Sequence, residues 1–410
     1  MSVMNQTSPI PTFKRAQNVG GILFLLGAIG LGIALISGDT KAFFASFTFG
    51  FVFWMTLTLG CCTLVYLHHS IRATWSLSIL RIAEAGTKAL PLMLVCWLVM
   101  AVGMLSRQLY MWSNPANMAG SEVLQRKTWF LNPTTYIVLS LICFAFWILT
   151  TWRLNESSRL QDETRDQRLS ENRASFAPPA GVIHVVLLTF AITLWVMSLD
   201  PYWVSTIYGV WFMIYGLRLV IALGIAVVWG LRNTRPFNEL ITKKLGADVG
   251  NMLLGLTMFW AYVTVSQFLI IWSANLPEEI PFYINRFTGP MVYLGGFLVI
   301  AQFFAPFLCL IGMRNKRAPH IFWRIAVWII IASIIDMFWQ ITPFFKVGFS
   351  SENLLWYALD FAAFAAIGGA WVWVFASDLI KTAQRNALIP LHDTRLVDSF
   401  REVAEGHAHA

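Results

Sequence analysis

Apolar residues arrive along this chain in runs of about twenty, separated by short polar segments, and that is the length a helix needs to cross the hydrocarbon core of a bilayer. Ten such runs are read, at 19–37, 43–67, 88–106, 133–152, 181–198, 203–230, 250–273, 289–313, 321–342 and 354–376. A transmembrane barrel would instead alternate polarity over segments of about ten residues, and no such alternation is present. The expected fold is all-α, a polytopic membrane protein with ten transmembrane helices.

The stretch 197–218, MSLDPYWVSTIYGVWFMIYGLR, joins the fifth and sixth runs through almost no loop. Proline fixes φ and pushes the preceding residue out of the α region, so Asp200-Pro201 reads as the turn of a tight hairpin. Trp203, Tyr208 and Trp211 suit a membrane interface, and Arg218 follows about fifteen residues after Trp203, roughly 22 Å deeper by helix rise. A guanidinium at that depth needs a partner or a path for water.

Composition sharpens this picture. At 57% hydrophobic and 12% charged, 410 residues are too apolar for one soluble core. The first run lacks a clear small-residue cleavage site and reads as a retained helix. All five cysteines (Cys61, Cys62, Cys96, Cys143 and Cys309) fall inside apolar runs with no CxxC pair, which argues against a disulfide framework or a metal cluster. Most of the 29 lysines and arginines fall between runs on the side that holds both termini, so the positive-inside rule makes both termini cytoplasmic. The net charge of +8 therefore belongs to loops and implies no nucleic acid.

Two connections on that side differ. Segment 153–179 carries charges of both signs and ends in Pro178-Pro179, which reads as a solvated helix or linker. Segment 68–86, HHSIRATWSLSILRIAEAG, mixes Arg72, Arg81 and Glu84 with apolar residues, and either continues the flanking helices or lies on the membrane surface. Glu84-Ala85-Gly86 and Asp248-Val249-Gly250, each opening an apolar run, hint at an internal repeat.

The candidate chemistry is sparse. His68 and His69 close the second run, His184 opens the fifth and His320 precedes the ninth, with His392, His407 and His409 in the tail. A bis-histidine haem would need His68 or His69 to face His184 near one surface; hydrogen bonds to backbone or headgroups explain each histidine singly. With Glu84 the three form a candidate proton inlet, since histidine titrates near neutral pH. On the other side Gln267, Asp336 and Asp360 each fall about six residues from a helix end, roughly 9 Å below the surface. Intramembrane carboxylates normally face a bundle interior or a hydrated cavity. Two offset half-channels follow, His68, His69, Glu84 and His184 serving the first half of the chain, and Arg218, Gln267 and Asp336 the second, with Asp360 as an outlying member or a purely structural acid. The many aromatic residues are read as interface belts and packing ahead of quinone stacking. Gly27, Gly30 and Gly32 permit close helix approach, and no P-loop, dinucleotide fingerprint, catalytic triad or metal-ligand spacing is found.

Several stretches together resemble the F subunit of alternative complex III, the bacterial quinol:cytochrome c (or other electron-acceptor) oxidoreductase unrelated to cytochrome bc complexes. They are HHSIRATWSLSILRIAEA with Pro91 beyond it, WVMSLDPYWVSTIYGVWF, LGLTMFWAYVTVSQFLIIWSANLPEE, the MRNKRAPH turn and IIDMFWQITP, spread over 67–343. The resemblance implies a membrane subunit of the polysulfide-reductase type, with helices 2–5 and 6–9 as two four-helix bundles and helices 1 and 10 peripheral. On that pattern the chain divides into 1–42 (N-terminus and helix 1), 43–198 (first bundle, with the charged loop 153–180), 199–342 (second bundle), 343–376 (helix 10) and a cytoplasmic tail 377–410. It implies the bacterial inner membrane and, as partners, a homologous C subunit, an iron–sulfur B subunit, pentahaem and monohaem cytochromes c, small membrane subunits, lipids and a supercomplex with a terminal oxidase. Haem c and iron–sulfur clusters would reside in those partners, quinol would be the substrate of the whole complex, and this chain would hold no redox cofactor of its own. In relatives a basic residue is expected near the ninth-helix carboxylate; here Ser333 stands one turn before Asp336, which leaves Arg218 as the substitute. Two other readings stay open: a stand-alone secondary transporter using Asp336 and Arg218, and the membrane anchor of a related molybdopterin or iron–sulfur reductase.

Overall fold

The computed structural model describes residues 8–345 and 354–390; the tail histidines His392, His407 and His409, and the tail beyond position 390, lie outside the described residues. The described residues form helices and no strand. We number the long helices α1 (Ile10–Ile36), α2 (Thr40–Ile71), α3 (Leu77–Thr87), α4 (Leu90–Leu105), α5 (Pro133–Thr164), α6 (Gln167–Trp195), α7 (Tyr208–Gly230), α8 (Lys243–Ala274), α9 (Met291–Ile311), α10 (Pro319–Ile341) and α11 (Leu354–Gln384). Nine of these are long and apolar enough to cross a membrane, and the pair α3 and α4, bent by 43°, passes the same test together. The chain is thus a multi-pass, all-α membrane protein.

Helix ends are set by local chemistry. The carboxylate of Asp39 accepts the Ala42 N–H at 3.1 Å to open α2, and its other oxygen accepts the indole N–H of Trp356 at 2.9 Å, which ties α2 to α11. Asn132 and Thr242 cap α5 and α8 in the same way. Arg72 and Asn275 adopt left-handed backbone angles (φ 49° and 52°) where α2 and α8 stop.

Helices α2, α3/α4, α5 and α6 pack in sequence around one ring, and α7, α8, α9 and α10 around another. The rings meet chiefly through α2 against α7, while α1 pairs with α11, which in turn lies on α2. At the crossing of α2 and α7 the backbones touch: a Cβ added to Gly60 would sit 2.1 Å from the Gly216 carbonyl oxygen, with no flexible side chain to yield. Gly20 and Gly27 of α1 meet α11 equally closely, their added Cβ atoms falling 2.7 and 2.4 Å from the carbonyl oxygens of Gly369 and Ala362. Small residues drive such contacts because lipid supplies no hydrophobic force between helices. Gly60→Ala is therefore expected to force the two rings apart and destabilise the fold by about 1–3 kcal/mol or more. A lowered midpoint of thermal unfolding in detergent, against an unchanged one for Gly32→Ala, whose Cβ would meet nothing within 4 Å, checks this.

Four expectations from the sequence are corrected. Most helices outrun their apolar runs, α5 and α6 furthest, so of the two readings of segment 153–179 the helix holds and the linker does not. The segment is a helical hairpin in which Asn155, Ser158, Gln161 and Arg173 are buried. Its charges pair mostly with other helices, Asp162 with Arg81, Glu156 with Lys88 and Arg159 with Asp378, while Arg173 crosses the hairpin to Ser157 and Gln161. Segment 68–86 does not lie on the membrane surface either: after α2 ends, every residue of α3 is buried, because apolar residues surround the helix and its two charges pair. The fifth and sixth spans are not joined by a minimal turn. A 3₁₀ turn (Met197–Leu199) and an extended loop precede α7, which starts at Tyr208 and not at Trp203. Trp203 packs flat on Phe282, ring centroids 4.0 Å apart, and its N–H donates to the Asp200 carbonyl at 3.3 Å in the turn. Arg218 consequently lies ten residues into α7, about 15 Å from its start and near the middle of the span. Finally, the hinted repeat is not matched in detail, since the Glu84 side begins with a separate bent helix while α8 runs unbroken from Lys243.

Candidate functional site

The intramembrane charges of the second ring are brought together by a residue that the sequence reading did not name. Arg218 of α7 donates from Nη2 to the side-chain oxygen of Gln302 at 2.8 Å and to the Gln302 carbonyl at 2.9 Å. The Gln302 amide nitrogen donates in turn to Asp336 Oδ2 of α10 at 3.1 Å and lies 3.5 Å from Ser333 Oγ. Arg218, Gln302 and Asp336 are all almost fully buried. Tyr215, one turn before Arg218, donates its hydroxyl to the Ser333 carbonyl. Gln302 reaches this position because α9 changes to a π-helix over Val299–Phe304. One extra residue per turn rotates the side chain inward, and such bulges recur at functional sites. The only sequence signal was an amide in an otherwise apolar run.

Arg218 is incompletely satisfied: Nε and Nη1 are buried without a protein partner, and the guanidinium lies 5.3 Å from the Trp260 ring. An ionised group with two unused donors at mid-membrane is a place for water or a mobile proton carrier. One turn beyond Asp336, Gln340 lines a cavity of about 380 Å³ shared with Gln267, Tyr208 and Trp339. Gln267 is thus connected to Asp336 through that cavity and Gln340, not by a direct bond. The Tyr208 hydroxyl is buried without a hydrogen-bond partner.

Beside the cavity, in the loop before α9, stands a second buried arginine that sequence reading missed. Arg286 donates from Nη1 to the Phe282 carbonyl at 2.6 Å and from Nη2 to the Gln340 carbonyl at 2.5 Å, with its carbon 3.5 Å from the Phe282 ring centre. Burial pulls its pKa from 12.5 down to about 10, opposed by Tyr208, Tyr283 and Asp200. It remains charged at neutral pH and pins the loop to the end of α10. Asp360 is buried on α11, a helix that packs mainly on α1 and α2, and Tyr357, one turn before it, meets the Phe338 ring of α10 at 6.1 Å.

The first ring holds a different cluster, at the end where α2 and α5 finish and α6 begins. Arg81 of α3 is its hub: Nη1 donates to Glu84 at 2.6 Å and to Ser158 at 3.1 Å, and Nη2 to Asp162. Arg173 of α6 donates to Ser157 at 3.1 Å and to Gln161. His68 shares a 2.7 Å hydrogen bond with Ser76, its ring 5.0 Å from that of His69, whose Nε2 is buried without a partner. Glu84 thus bonds a guanidinium and no histidine. His184 lies deeper, bonded through Nε2 to Thr63 at 2.9 Å with Nδ1 unpartnered. Thr63 precedes His68 by five residues, about 7.5 Å along α2. His68 and His184 are therefore held by separate hydroxyls at different depths. Asp162 and Arg173, which complete this cluster, were hidden because they sit in the segment read as solvated.

What the two clusters offer chemically is hydrogen-bonded polar groups at different levels of the bundle, separated by the close-packed seam of Gly60 and Gly216. Among the described residues no group of three or more metal-ligating side chains occurs. In comparisons with known proteins, no family model matches the chain and no curated sequence is significantly similar to it.

Proposed function

We propose that the chain is an integral subunit of an alternative complex III in the bacterial inner membrane, with both termini cytoplasmic, supporting quinol oxidation by the complex and moving protons through two half-channels. The sequence resemblance supplies the complex. The observation that carries the proton reading is the chain of hydrogen bonds from Arg218 through Gln302 to Asp336, with Gln340 next to a cavity. The carboxylate in such a string can take up and release a proton while the amide holds it in place, and sparse intramembrane acids commonly mark proton relays. In this reading His68, His69 and the Arg81–Glu84–Asp162 group face the cytoplasm, His184 lies further in, and Asp336 releases toward the periplasm through Gln340 and Gln267. The electron-carrying groups belong to partner subunits: a homologous membrane subunit, an iron–sulfur protein and haem c proteins.

Alternating-access transport is the less favoured reading, because the interruptions of helical geometry, the bend between α3 and α4 and the π-helix in α9, fall at unmatched places in the two rings. The test is purification of the tagged chain from native membranes in mild detergent, with an optical spectrum and identification of whatever accompanies it. Multihaem cytochrome and iron–sulfur subunits in stoichiometric amount are expected. A colourless chain that stays alone in several detergents overturns the respiratory assignment.

A further inference from the structure

One face of α11 carries two neighbouring hollows of opposite character. Near the helix end, Lys381, Thr382 and Arg385 line a polar cavity of about 430 Å³ together with Arg81, Arg159, Asp162 and Glu163, four cations against two carboxylates. Lower on the helix, Ala370, Trp373 and Val374 line a largely apolar groove with Leu92 of α4 and Phe24 and Leu25 of α1. At 100° per residue, Ala370, Val374, Lys381 and Arg385 fall on one stripe, and seven residues, about 10 Å, separate Val374 from Lys381.

Charge within the polar cavity is unevenly matched. Arg81 is taken up by Glu84 and Asp162, and Arg159 by Asp378 at 2.7 Å and Glu156 at 3.6 Å. Lys381 and Arg385 make no ion pair among the described residues, and Arg81 Nε is buried without an acceptor. Both rim cations are exposed, so they are available to a ligand. A basic pocket between helices at the level where they leave the membrane, set above an apolar groove, has the polarity profile of a diacyl phospholipid with an anionic headgroup.

We propose that this face of α11 is a binding site for one anionic phospholipid, its phosphate between Lys381 and Arg385 and an acyl chain along the groove at Trp373 and Val374. The lipid would seal α11 and α1 against the first ring, where α3 bends into α4 and Arg81 reaches the cavity. The site goes beyond the respiratory reading and does not depend on it.

Native mass spectrometry of the detergent-purified protein, with whatever subunits accompany it, tests the site. Phosphatidylglycerol, phosphatidylcholine and soluble glycerol 3-phosphate are added in turn. Phosphatidylglycerol is expected to be retained about tenfold or more over phosphatidylcholine, and glycerol 3-phosphate not at all. Lys381→Gln with Arg385→Gln should reduce the preference to within about twofold, and Val374→Trp, which fills the groove, should weaken both diacyl lipids; Lys243→Gln on α8 should change nothing. Both substituted cations are exposed and unpaired, so the fold is expected to survive their loss. Equal retention of the two lipids by the unsubstituted protein overturns the proposal, as does an unchanged preference in the double variant. Retention of glycerol 3-phosphate as strong as that of phosphatidylglycerol assigns a free-anion site and overturns the lipid.

Discussion

On the proposed proton-moving role, Asp336→Asn is expected to abolish most proton transfer while leaving the chain in the membrane. Asparagine keeps the shape and can still accept from the Gln302 amide, so the 3.1 Å contact survives in form. What disappears is the negative charge that Gln302 links to Arg218, and with it the only carboxylate in the string. Arg218, with two buried donors already unused, is then an uncompensated cation at mid-membrane. Removing one partner of a buried pair typically destabilises by about 3–5 kcal/mol, and interposed Gln302 and any water place the expected loss at the lower end. The measurement is proton release per quinol in proteoliposomes, read beside the thermal midpoint in detergent. Asp336→Glu should recover part of the proton release. Arg218→Met combined with Asp336→Leu should be more stable than the sum of the single losses, a coupling of about 0.5–3 kcal/mol. If Asp336→Asn assembles normally and proton release is unchanged, the half-channel is wrong.

Arg81→Met is expected to be the most damaging single change to the fold. It would leave Glu84, 2% exposed, without the guanidinium it bonds, and Asp162, 12% exposed, without its contact to the same group. Removing one partner of a buried pair typically costs roughly 3–5 kcal/mol, and Arg81 serves two carboxylates at once. Arg81→Lys should restore only part of it. A point-like ammonium cannot hold Glu84, Ser158 and Asp162 from two nitrogens in a fixed fork. Yield from membranes and the unfolding midpoint read the effect. A midpoint for Arg81→Met equal to that of the unsubstituted chain would mean that Arg81 organises nothing.

Much of the architecture was legible because a bilayer writes a one-dimensional signal. A span must be apolar for about twenty residues whatever its neighbours do, and a charge such as Arg218 or Asp336 stands out against that background without any knowledge of the fold. Helix ends were read less well. The bilayer constrains only the apolar part, and α2, α5 and α6 continue beyond it on hydrogen bonds and caps that hydropathy does not register. Trp203 was placed in a helix for the same reason: its apolar context matched, while the Phe282 ring that holds it comes from a loop some eighty residues away.

The sequence by itself determined that this chain is a multi-pass helical membrane protein and which few polar residues lie within its spans, since burial in lipid is enforced residue by residue along the chain. Only the tertiary structure decided which of them meet. Whether Gln302 points at Arg218 and Asp336 depends on the rotation of α9, set by a π-helical segment with no sequence mark. Whether Glu84 faces a histidine or Arg81 depends on how α3 folds back under α2. Whether Asp162 and Arg173 are solvated or buried depends on how the α5–α6 hairpin leans on the first ring. Each outcome rests on helix rotation and packing between segments distant in sequence, and polarity read along one strand of residues carries no information about the angle at which two helices face each other.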